Sequence, residues 1–200
     1  MPQKAYGVQS LETNAPMRLD TIARIHSMTK PVAGVALMML YDEGRWQPSD
    51  PIAKHTPEFA NLKVYAGDKD GAPPLDAPSL QEFINRMAQL PLLYQPGTRW
   101  VYRVSVDIQG YLVEKLSGKT FPEFLRTRLF EPLGMVDTGF FVPSQKRSRV
   151  ATIYAYDKAK AALVSEPANP GISQMPGLPS GGGGFCIQPP ATTSGSRRWF

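Results

Sequence analysis

The 200 residues are 42% hydrophobic and 20% charged, with a formal net charge of +5, the composition of a globular domain and not of a disordered chain. No apolar run is long enough to span a membrane and the N-terminus has no secretory apolar stretch, so the sequence reads as a cytoplasmic chain. The single Cys186 with His26 and His55 is too sparse a set for a zinc site or an intrachain disulfide, and no block of basic residues marks a nucleic-acid footprint.

Tyr6, Val8 and Leu11 predict a strand within residues 4–12. Asn14-Ala15-Pro16 predicts a turn, and residues 21–25 a second short strand that runs into Ser27. The period then changes. Val32, Val35, Ala36, Met39 and Leu40 fall at helical spacing and predict one buried stripe. Gly44 stops this helix, and Pro31 fits only its first turn, which puts Ser27 at or beside the helix start. Residues 45–78 are proline-rich and read as a long loop with one short helix near 57–62.

Ser79-Leu80-Gln81-Glu82 is a capping box for a helix carrying Leu80, Phe83, Ile84, Met87 and Leu90, closed by Pro91. Gln95-Pro96-Gly97-Thr98 is a turn. Ile108, Leu112, Val113 and Leu116 mark a third helix, with Ser105 as its N-cap and Gly118 as its stop. Thr120-Phe121-Pro122-Glu123 is a second capping box and starts a helix to about Phe130. Residues 150–156 predict a strand. Gly181 to Gly184 read as a flexible turn, and residues 185–200 show no period.

Ser27-Met28-Thr29-Lys30 carries the first chemical signal. Serine and lysine three apart share a helical face, and the lysine can activate the hydroxyl for attack. A helix start adds free N–H groups that favour an oxyanion. On spacing alone the plain alternative is a capping serine with a solvent-facing lysine, a common arrangement. Tyr102 is a candidate base, because a nearby ammonium lowers a phenol's pKa; its plain alternative is a loop anchor. Other motifs fail. Gly118-Lys119-Thr120 has Val113 where a phosphate loop needs its first glycine, Asp137-Thr138-Gly139 occurs once, and no Gly-x-Ser-x-Gly elbow exists.

The stretch from Ile25 to Val32, Pro96-Gly97 through Tyr102, Asp107 through Gly118, Phe130-Glu131-Pro132-Leu133-Gly134-Met135, and Ser180 through Gly184 occur in an order that resembles the serine β-lactamase and penicillin-binding-protein-like superfamily. The nearest likeness is to its class C β-lactamase-related esterase branch. The resemblance implies an α/β (α+β) transpeptidase-like fold with the helical subdomain largely present and the central sheet incomplete. It implies that Ser27 is the acylated nucleophile, Lys30 its proton partner and Tyr102 the tyrosine of a Tyr-x-Asn motif. Val104 stands where that motif has asparagine, which shifts the expectation from β-lactams or D-alanyl peptides toward small esters.

After residue 185 no Lys-Thr-Gly, His-x-Gly or Trp-Gly-Gly follows, although the family carries such a motif on the strand opposite the serine. The expectation is therefore a hydrolase domain over 1–185, truncated at both ends, with an unrelated or disordered tail over 186–200. It would act as a carboxylesterase without metal or organic cofactor. β-Lactamase or D-alanyl-D-alanine peptidase activity is one alternative, and an inactive remnant or acyl-ligand binding module the other. The implied partner is a small ester or β-lactam-like substrate, not a nucleic acid or a membrane.

Overall fold

A computed structural model describes residues 4–64, 77–166, 170–184 and 186–187. The chain forms two compact units. One comprises 26–129 with 176–184, the other 1–25, 130–175 and 185–200.

The first unit is helical. Helix α1 (Thr29–Asp42) follows a 3-10 turn, His26–Met28. It ends in a Schellman motif: Arg45 N–H reaches the Leu40 carbonyl at 2.9 Å and Gly44 N–H reaches Tyr41 at 2.8 Å, with Gly44 at φ 71°. The predicted stripe is rotated. Thr29, Ala33, Ala36, Leu37 and Leu40 are buried, whereas Val35 is 47% exposed. Residues 32–40 are apolar on nearly every side, so the pattern alone does not select a face.

Helix α2 (Leu80–Met87) is capped by Ser79, whose hydroxyl accepts from Glu82 N–H at 3.1 Å. Helix α3 (Ser105–Ser117) ends at left-handed Gly118. Ser105 is its first helical residue; Val104 takes the N-cap position without a side-chain cap, which corrects the expectation for Ser105. Helix α4 (Phe121–Leu125) is capped by Thr120 and continues as a π-helical turn, Arg126–Phe130. The helix expected near 57–62 is a 3-10 turn at Pro57–Phe59.

Helix α3 is the hub, packing on α1, α2 and α4. Gly110 lets it approach α4 closely, since a Cβ there would stand 3.2 Å from the Phe121 ring. Tyr111, buried on α3, bonds through its hydroxyl to Glu58 and Gln81 at 3.0 Å each.

In the second unit the described strands pair only in twos. β1 (Val8–Ser10) pairs with β2 (Ala15–Pro16), β3 (Ala23–Arg24) with β6 (Cys186–Ile187), and β4 (Tyr154–Asp157) with β5 (Ala162–Ser165), all antiparallel. Ile22 and Val142 are buried together, with Val150 and Ile172 against them. Asp137, its side chain 5% exposed, is held by Lys146 and by Arg149 at 2.7 Å. The predicted strand at 150–156 begins only at Tyr154, and β5 had no sequence signal strong enough to predict it. Of the tail expected over 186–200, only β6 lies within the described residues.

Candidate functional site

The backbone sets up the site at one strained residue. His26 sits at φ 44°, left-handed space that a non-glycine residue rarely enters. Its carbonyl is pinned by the hydroxyl of the fully buried Thr29 at 2.6 Å. The turn so fixed leaves Ser27 exposed ahead of α1 and puts Lys30, half-buried, on the first turn behind it.

The three candidate residues meet. The Ser27 Oγ lies 2.8 Å from the Tyr102 hydroxyl and 3.1 Å from Lys30 Nζ. Lys30 Nζ stands 4.7 Å from the Tyr102 ring centroid. The Lys30 ammonium, followed by the bond to Ser27, holds the Tyr102 phenol below its ordinary value of 10.0. Tyr102 reaches this point from an irregular segment shaped by the turn at Gln95–Thr98, where Gly97 takes φ 82°.

A second layer went unpredicted. Lys30 Nζ donates to the Gly182 carbonyl at 2.6 Å. Gly182 N–H and the Ser180 hydroxyl both donate to the buried Asp107 carboxylate, at 3.1 and 2.6 Å. Gly181 to Gly184 are therefore no flexible turn around this point. A Cβ on Gly181 would sit 2.6 Å from the Val106 carbonyl, and one on Gly182 would sit 3.0 Å from Asp107 Oδ2. These glycines are required for close packing, not for looseness. Both stretches, Asp107 through Gly118 and Ser180 through Gly184, carry the family resemblance, but no local pattern pairs them, because the partners of Asp107 lie more than seventy residues downstream.

The rim is open and apolar. Met28 is 70% and Trp100 84% exposed, and the Trp100 ring lies 6.1 Å from that of Tyr102. Among the described residues, no group of three or more His, Cys, Asp or Glu side chains could hold a metal ion, and no helix is long and apolar enough to cross a membrane.

Known proteins are similar to this chain in sequence and in fold. Protein Rv1367c of Mycobacterium tuberculosis is 29% identical over 216 residues, covering 90% of this chain and 54% of that protein. Esterase EstB of Burkholderia gladioli is 27% identical over 184 residues, covering 74% of this chain and 46% of the esterase. The chain thus spans about half the length of the curated relatives it matches. The solved structure of EstCE1, a hydrolase with promiscuous acyltransferase activity, superposes with a TM-score of 0.73 at 20% identity, covering 91% of this chain and 59% of that one. This likeness carries the fold, β-lactamase/transpeptidase-like, with the strands among the described residues pairing only in twos. The Beta-lactamase family profile matches residues 3–187, and the chain belongs to that family of serine hydrolases.

Proposed function

We propose that this chain is a serine carboxylesterase that cleaves small esters through an acyl-enzyme on Ser27. The observation that carries the reading is the shared contact at Ser27 Oγ, with a phenol of lowered pKa at 2.8 Å and an ammonium at 3.1 Å. As the phenolate, Tyr102 takes the Ser27 hydroxyl proton while Oγ attacks the ester carbonyl carbon. The carbonyl electron pair moves onto oxygen. When the tetrahedral intermediate collapses, the carbon–alkoxide bond breaks and Tyr102 returns the proton to the departing alcohol. Water repeats the sequence on the acylated serine, releasing the carboxylic acid and free Ser27. The Lys30 side chain stabilises the phenolate.

The ester preference draws support from Val104, which offers no amide for a peptide-like substrate, and from the apolar rim of Met28 and Trp100. The name of EstB points the same way.

The test is hydrolysis of p-nitrophenyl acetate beside labelling by a fluorophosphonate probe, in the native chain and in Ser27→Ala. Both signals should vanish in the variant. Hydrolysis retained by Ser27→Ala overturns the reading. Nitrocefin turned over faster than the ester would replace it with β-lactamase activity, and one equivalent of acylation without turnover with an acyl-binding module.

A further inference from the structure

We propose that Asp107 is a positioning residue for acyl transfer, holding Ser180 and Gly182 so that the Gly182 carbonyl fixes the Lys30 ammonium against Ser27. The proposal rests on the Ser27 reading above and adds a residue to its machinery.

Asp107 lies in the first turn of α3 and is only 8% exposed. A buried carboxylate is costly unless its oxygens are satisfied. Among the described residues it makes no ion pair; the Ser180 hydroxyl at 2.6 Å and Gly182 N–H at 3.1 Å both donate to its Oδ1 instead. Gly182 N–H also lies 3.2 Å from Ser180 Oγ, which closes a three-member cluster. The loop is thereby tied closely to α3: a Cβ on Gly182 would meet Asp107 Oδ2 at 3.0 Å, so a side chain there would force the carboxylate to shift.

What the loop presents is the Gly182 carbonyl, 2.6 Å from Lys30 Nζ. An ammonium on a four-carbon stem has three donors and much rotational freedom. Anchoring one donor on a fixed carbonyl directs another at Ser27 Oγ, 3.1 Å away. It also keeps the positive charge 4.7 Å from the Tyr102 ring centroid. The chain of contacts runs Asp107, Gly182, Lys30, Ser27, with the carboxylate touching neither nucleophile nor base. Positional errors near 1 Å in such an assembly cost on the order of 100-fold in rate.

Two readouts test the proposal in the 200-residue chain. One is kcat/KM for p-nitrophenyl acetate against pH. The other, independent of turnover, is the titration of Tyr102, taken as the ultraviolet difference between each protein and its Tyr102→Phe counterpart. Asp107→Ala should lower kcat/KM about 10- to 100-fold and move both the alkaline limb and the Tyr102 titration toward 10. Asp107→Asn should recover most of both, because its amide oxygen accepts the same two bonds. If Asp107→Ala does not fold, Ser180→Ala serves, with a smaller shift in the same direction. A folded Asp107→Ala or Ser180→Ala with unmoved limb and titration overturns the proposal: the carboxylate would then be structural only. A native chain with no esterase activity but with a Tyr102 titration that depends on Asp107 overturns the esterase reading and leaves the positioning role standing.

Discussion

The hydroxyls of Tyr102 and Ser27, 75 residues apart in the chain, meet at 2.8 Å. The bond works in both directions. A neutral phenol donates to Ser27 Oγ, and a phenolate could accept the serine's proton, so one geometry would serve both the resting state and the proposed attack. Tyr102→Phe keeps the ring and removes the proton acceptor. Esterase activity should fall about 100- to 10,000-fold with an unchanged far-ultraviolet spectrum, and a variant within threefold of native would rule Tyr102 out as the base.

The pH profile follows from the lowered phenol. In the proposed mechanism the active form needs Tyr102 without its proton, so activity should rise with pH and level off once the phenol has ionised. Because the Lys30 ammonium pulls that ionisation below 10.0, the midpoint of the rising limb should lie below pH 10. Lys30→Met should push the rising limb upward and depress the rate at neutral pH. A limb that stays put in Lys30→Met would show that the ammonium does not tune the tyrosine.

Two glycines of the same loop, Gly181 and Gly183, should behave differently. Gly181→Ala drives a Cβ to 2.6 Å from a backbone carbonyl, while the same change at Gly183 meets nothing nearer than 3.7 Å. Gly181→Ala should destabilise the helical unit by at least about 1–3 kcal/mol and cut activity, and Gly183→Ala should change melting little. Thermal denaturation of the two variants decides this.

The rotated face of α1 is equally open to test. Leu40 is 1% exposed and Val35 47%. Leu40→Ala should cost about 2–5 kcal/mol, and Val35→Ser about 0.5 kcal/mol or less. Similar losses for both in urea denaturation would contradict the burial pattern.

In the strand-bearing unit, burial pushes the Asp137 carboxyl upward, but Lys146 and Arg149 outweigh it and leave its pKa below 3.8. A depressed carboxylate adds stability above its unfolded value, lost as pH falls through the folded one. Asp137→Asn should therefore lower melting temperature at pH 7 and flatten its dependence on pH below 4. An acid limb as steep as that of the native chain would assign acid sensitivity elsewhere.

The contrast between legible and illegible features has a physical basis. Helix ends are written in local chemistry: Ser79 with Glu82, Thr120 with Glu123, and the left-handed Gly44 and Gly118 can each be read within five residues. The helix position of Ser27 and its facing Lys30 were legible for the same reason. The face of α1 was not, since packing against α3 selects it and the sequence there is apolar around the helix. The pairing of β3 with β6 and the grip of Asp107 on Gly182 join residues far apart, and no local pattern encodes such partners.

The left-handed His26 beside the proposed nucleophile Ser27 makes position 26 a place where durability and reactivity would compete. Glycine would adopt φ 44° without steric penalty and relieve roughly 1–3 kcal/mol of strain. It would also widen the backbone freedom of the unfolded chain and of the turn that presents Ser27. A library at this one site, sorted once for heat tolerance and once for ester turnover, should return different winners, with the native histidine as a compromise between the two.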